Sequence, residues 1–150
     1  MKLQLFTLLA MAIVHQIAFA ADALVFECKR AERDFIEEYE MKLVPANKSA
    51  KAKIYLDGRD LDQSDASGKQ TVKSMQITPS NIVMMVDTQF DPETIGGVSY
   101  PAGTVSSLLT LNQVTGKLKK VETIQGGILG SHLGNGTRMS EETCVPVKAK

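Results

Sequence analysis

Cys28 and Cys144 are the residues whose type and placement point most directly to chemistry, because two thiols with no third admit a single intramolecular bond in an oxidising compartment. They stand 116 positions apart. A bridge of that span stabilises the fold by about 4 to 5 kcal/mol in the chain-entropy description, and it requires the first and last extended segments to be neighbours. Redox catalysis asks for closer spacing, such as C-x-x-C at a helix start, and zinc asks for about four ligands. Beyond residue 20 the chain supplies these two thiols and one imidazole, His132. A secreted hydrolase built on this chain would have to use His132 as its base, yet Ser131 beside it points the opposite way if the segment is extended.

Other clusters have plainer readings. Asp57, Asp60, Asp62 and Asp65 hint at a calcium loop, but a loop begun at Asp60 puts Asp65 where glycine is needed and Thr71 where a bidentate Glu is needed, so a solvated acidic loop is expected. Gly126 to Gly136 holds five glycines without the spacing of a phosphate loop or a dinucleotide fingerprint. It reads as a flexible hairpin loop able to serve as a lid or contact. Lys117, Lys119 and Lys120 are interrupted by Leu118, Val121 and Glu122 with no stacking aromatic nearby, which is a strand face and not a nucleic-acid site. Asn47-Lys48-Ser49 and Asn135-Gly136-Thr137 match the glycosylation sequon. No catalytic residue, cofactor or metal is implied.

These residues sit on elements that read as strands. Residues 24 to 28 are apolar ahead of Cys28. From Lys29 to Val44 two periods compete: Ala31, Phe35, Tyr39 and Leu43 recur every four residues, while Phe35, Tyr39, Met41 and Leu43 also share one face of a strand. A charged turn followed by a strand from about Ile36 to Val44, ending at Pro45, is preferred and the helix stays open. Lys51 to Leu56 leads into the turn dipeptide Asp57-Gly58, and Arg59 to Lys69 reads as an exposed connection. Val72 to Ile77 and Ile82 to Thr88 flank Thr78-Pro79-Ser80-Asn81 as a hairpin. The run Ile82 to Val86 has no polar face and reads as a strand covered on both sides. Asp91 to Gly103 reads as a loop, Thr104 to Leu111 and Lys117 to Gln125 as a second hairpin, and Thr137 to Val147 as the last extended segment.

The first twenty residues have the order of an export signal: Met1 and Lys2, an apolar run from Leu3 to Val14, and Ala18-Phe19-Ala20 before a cut between Ala20 and Ala21. The apolar run is too short for a membrane span, so no stable membrane anchor is expected after cleavage. Residues 21 to 150 then form one domain, exported to the periplasm or secreted, with 16 basic against 17 acidic side chains. Bulk charge selects no partner.

Ser106-Ser107-Leu108-Leu109-Thr110-Leu111-Asn112-Gln113-Val114-Thr115-Gly116-Lys117-Leu118, followed by a strand with Cys144, resembles small exported bacterial β proteins of unassigned function. That resemblance implies a compact antiparallel fold. Ala66-Ser67-Gly68-Lys69 is similar to the cleft-entering loop of bacterial inhibitors of c-type lysozyme, although the Tyr expected after it is replaced by Gln70, Thr71 and Val72. The expectation is an all-β domain: a single antiparallel meander of seven or eight strands closing toward a barrel or sandwich. Its expected role is non-catalytic binding of a protein or small molecule, with lysozyme inhibition and hydrolysis at His132 as alternatives.

Overall fold

Alternating apolar and polar side chains carry most of the chain into strands. The computed structural model describes residues 22–32 and 34–147, so the expected leader and its cut between Ala20 and Ala21 lie outside the described residues. In chain order the elements are β1 (Leu24–Glu32), β2 (Phe35–Val44), β3 (Lys53–Leu56), β4 (Arg59–Asp60), β5 (Gln63–Asp65), β6 (Gly68–Ile77), β7 (Asn81–Phe90), β8 (Glu93–Ile95), β9 (Val98–Tyr100), β10 (Gly103–Asn112), β11 (Lys117–Gly126), α1 (Gly127–Leu133) and β12 (Gly136–Val147). Ten strands form one antiparallel sheet in the order β4-β3-β2-β1-β12-β11-β10-β7-β6-β5, and β8 with β9 form a separate hairpin. The outermost strands, β4 and β5, are joined by Leu61 and Asp62 alone. That short link draws the two ends of the sheet together, and the meander nearly closes into a barrel.

The cysteines make the other seam. β1 pairs with β12 from Val25 with Val147 to Lys29 with Thr143, which sets Cys28 directly opposite Cys144. Their Cα atoms are 4.0 Å apart and the sulfurs are bonded. The Cys144 amide donates to Gly116 O at 2.7 Å, away from β1, so the two cysteines form the closely spaced, non-hydrogen-bonded kind of antiparallel pair.

Side chains at alternate positions meet inside. Met41, Leu43, Ile82, Met84, Leu111 and Leu118 are fully buried, with Phe26, Ile54, Val72 and the disulfide around them. Each large side chain there contributes about 1.5 to 3 kcal/mol by leaving water. A bulge between Val72 and Ser74 shifts the phase of β6, so Val72 and Met75, three apart, both reach the core. The Leu-Asn-x-x-Thr-Gly-x-Leu stretch has a local explanation. Asn112 Oδ1 accepts the amides of Val114 and Thr115 at 3.0 and 2.9 Å, while Gly116 takes φ +70° where a Cβ would lie 2.5 Å from Cys144 O. Leu111 and Leu118, paired across that turn, are both core residues.

Several sequence expectations need correction. Residues 29 to 44 are two strands with no helix between them: β1 runs on to Glu32, and Arg30 pairs with Glu37. The sheet has ten strands because Arg59 to Lys69, read as an exposed connection, supplies β4, β5 and the start of β6. Ile82 to Val86 is covered on one side only, since Met84 is fully buried and Met85 is 40% exposed. The Asp91 to Gly103 loop contains the β8–β9 hairpin, with its turn at Gly96-Gly97. The glycine-rich segment after β11 contains α1, against its low intrinsic propensity. Tertiary contact holds α1 there: Gly126 N–H donates to Asn135 Oδ1 at 2.7 Å, and Gly127 lies so near Gly103 that a Cβ on Gly103 would sit 2.5 Å from its nitrogen.

Candidate functional site

Inward residues change from apolar to polar at the same height on five neighbouring strands. β10 passes from Leu109 to Ser107, β11 from Leu118 to Lys120 and Glu122, β12 from Cys144 to Glu142 and Ser140, β1 from Cys28 to Arg30, and β2 from Met41 to Tyr39 and Glu37. Register staggers the changes by one inward residue between most neighbours, as strand tilt in a barrel requires: Lys120 pairs with Leu109, Glu142 with Leu118 and Tyr39 with Cys28. A polar layer therefore lies above the oily core and forms a chamber, and beyond it on β10 and β11 the paired Val105 and Ile124 are apolar and buried again.

The wall of that chamber is incomplete around the upper part of the β1–β2 hairpin. On one side the β1–β12 ladder ends at Lys29 and Thr143, leaving a cleft of about 540 Å³ that reaches Arg30, Lys120, Glu122 and Arg138. On the other, β2 pairs with β3 only from Met41 to Val44, and a cavity of about 450 Å³ opens between Tyr39, Glu142, Lys120 and Arg59. A third hollow of about 320 Å³, with Gln70, Thr88, Ser107 and Phe90 in its lining, shares Arg59 with the second and Glu122 with the first. The upper hairpin thus stands as a flap paired only with itself, with the disulfide at its base.

Electrostatics inside are arranged in pairs. Glu142 is 6% exposed, and its Oε2 accepts a hydrogen bond from the Tyr39 hydroxyl, which ties the flap to β12. Burial, the bond to Glu142 and that carboxylate's charge together push the Tyr39 hydroxyl well above the usual tyrosine range. Lys120 Nζ lies 3.1 Å from Glu122 Oε1, and Arg30 NH1 lies 3.9 Å from Glu37 Oε2. Arg30 Nε is 3.2 Å from Glu32 Oε1 but is not aligned to donate to it, so a buried N–H is left without an acceptor. Buried polar groups normally find partners, so this N–H stands out among the groups of the chamber.

Apart from Lys120, the residues singled out from sequence lie outside the chamber. Cys28 and Cys144 form the bond expected of them. His132 is exposed on α1, its Nε2 3.4 Å from the Tyr100 hydroxyl, while Ser131 Oγ donates to Gly127 O at 3.0 Å. Asp60 and Asp62 face Lys53 and Lys51. Burial opposes ionisation of Asp60, but the Lys53 ammonium, the Asp62 amide and the charge of Lys51 outweigh it and hold the carboxyl below its ordinary range. Lys117 and Lys119 face outward, whereas Lys120 turns into the chamber. Ala66 and Ser67 make the exposed β5–β6 turn, with Ser67 N–H donating to Asp65 Oδ1 at 2.8 Å. Arg30, Tyr39, Glu122 and Glu142 are not among the candidate site residues of the sequence, and Lys120 is there only as part of a solvated strand face, which the structure corrects. Their signal is the apolar-to-polar change along an inward face, visible only once the phase of each strand is known. Among the described residues, no helix is long and apolar enough to cross a membrane. Comparison with protein-family models, with curated proteins and with solved structures finds no match to this chain.

Proposed function

We propose that this chain is an exported, non-catalytic binding protein that takes a ligand into the polar chamber beneath the β1–β2 flap. Export to the periplasm or secretion accords with the buried Cys28–Cys144 bond, which persists in oxidising surroundings. One observation carries the reading: Arg30, Tyr39, Lys120, Glu122 and Glu142 gather on the walls of two adjoining clefts inside the sheet. Desolvating such groups costs stability, and a fold that keeps them uses them for recognition. Hydrolysis has less support, since Ser131 is bonded to a helix carbonyl and His132 sits against Tyr100. The test is recovery of ligand by native mass spectrometry from protein isolated in its own compartment. Wild type should carry an adduct, and the Lys120→Met, Glu122→Gln double variant should fold and lose it. An adduct retained by that variant refutes the chamber as the site.

Lysozyme inhibition is the second reading, favoured by the exposed Ala66-Ser67 turn at the rim, where Ser67 O also accepts the Asp91 amide at 3.1 Å. Purified protein at micromolar concentration should then block lysis of cell walls by c-type lysozyme, and undiminished lysis removes this reading.

A further inference from the structure

We propose that the upper edge of β12 receives an extended peptide segment of a partner protein, added as a strand, with acidic side chains turned into the cleft. The inference rests on the chamber being a binding site and names the partner that enters it from this side.

Backbone direction comes first. The Cys144 amide bonds to Gly116 O, so even-numbered residues of β12 turn their N–H and C=O groups toward β11, as the register pairs Glu142 with Leu118, Ser140 with Lys120 and Arg138 with Glu122. Odd-numbered Thr137, Met139 and Glu141 turn theirs the other way, toward β1. The β1–β12 ladder has ended at Lys29 and Thr143, and among the described residues no strand lies opposite these three. Three donor–acceptor pairs in a row are thus open along this strand edge, as they are along the outer edge of β2 above Met41, but only the β12 edge borders the cleft that holds Arg138. Water solvates such a row group by group, whereas another extended backbone satisfies all of it at once.

Charge and apolar surface then select the segment. In the cleft Arg30 faces Glu32 at 3.2 Å and Lys120 faces Glu122 at 3.1 Å. The Arg138 guanidinium donates to the Leu133 carbonyl and has no carboxylate within ion-pair distance among the described residues. An incoming strand alternates its side chains, so those pointing inward meet this uncompensated cation and those pointing outward run beside Met139, which is 62% exposed. A second copy of this chain pairing β12 edge to edge would bring two Arg138 side chains onto one face as near neighbours, which disfavours it.

Three synthetic probes test this: a short peptide alternating Glu and Val, its counterpart alternating Lys and Val, and the Glu/Val peptide N-methylated at alternate residues. Amide exchange read by NMR on the full chain should slow at Thr137, Met139 and Glu141 by about tenfold or more with the first peptide, with no change at Arg138 and Ser140, already bonded to β11. The Lys/Val peptide should bind about tenfold more weakly, and Arg138→Glu should reverse that order. The N-methylated peptide and the Met139→Pro variant, whose proline suits an open edge and so folds, should show no protection. Binding without protection of the three amides, or equal binding to Met139→Pro, overturns the proposal, as does their protection by concentration-dependent dimerisation alone. If no peptide binds while wild type still retains a co-purified ligand, only the edge inference falls; loss of both removes the chamber reading as well.

Discussion

Replacing both cysteines with alanine is the perturbation that reaches furthest into this fold. The Cys28–Cys144 bond closes a loop of 116 residues, and releasing it returns to the unfolded chain conformational freedom worth about 5 kcal/mol. That is comparable with the whole stability of an ordinary domain. For a chain of this length each kcal/mol lowers Tm by about 4 °C, so the double variant should melt roughly 15 to 20 °C below wild type. Thermal unfolding followed by circular dichroism, with wild type kept oxidised, reads this directly. The placement of the bond adds a second expectation. It sits one rung from the end of the β1–β12 ladder, so its loss should speed amide exchange from Arg30 to Tyr39 more than within the β10–β11 hairpin. A fall in Tm of less than about 4 °C would refute the reasoning. So would full alkylation of both cysteines in unreduced wild type.

Neighbouring methionines separate the two faces of β7: Met84→Ala should cost about 2 to 5 kcal/mol in chemical denaturation and Met85→Ala less than about 0.5 kcal/mol, and equal costs would contradict the one-sided burial. Gly116→Ala should cost about 1 to 3 kcal/mol, because its φ of +70° and the Cys144 carbonyl 2.5 Å from any added Cβ both oppose a side chain; an unchanged urea midpoint would show that the turn relaxes freely. Tyr39 has a raised folded-state pKa, so its contribution is complete below its unfolded pKa of about 10 and is lost as pH climbs above it. Urea midpoints should therefore fall on the alkaline side in wild type and fall less in Tyr39→Phe, which is itself about 1 to 3 kcal/mol weaker at neutral pH for leaving Glu142 without its donor. Identical alkaline slopes in the two proteins would remove the Tyr39–Glu142 bond from the account.

Much of the architecture was legible in the chain because it is written in nearest neighbours. Alternation in Thr104 to Leu111, the Asn112 to Gly116 turn, Asp57-Gly58 with φ of 48° and 78°, and the Thr78 to Asn81 turn each specify local geometry, and all four appear where expected. A lone thiol pair also carries long-range information, and it joined the first and last strands correctly. Legibility failed where two local codes agreed. Phe35, Tyr39 and Leu43 satisfy a helical period as well as a strand face, and only pairing of β1 with β2 settles the matter. It failed again for Ile82 to Val86, whose residues are all apolar, so that nothing local tells inside from outside.

The chain by itself determined an all-β meander, its turns and the covalent union of its ends, since hydrogen-bonding geometry, side-chain period and thiol chemistry act over short ranges or through a unique pair. Tertiary structure alone decided that the barrel carries a charged layer above its oily core. Lys120 differs from Lys119 only in phase, and Glu142 becomes a buried acid only because Tyr39, 103 residues away in sequence, is folded against it. It also decided where the wall stays open, because a strand edge is free or paired according to its neighbour, and that neighbour is chosen by the closure of the whole sheet.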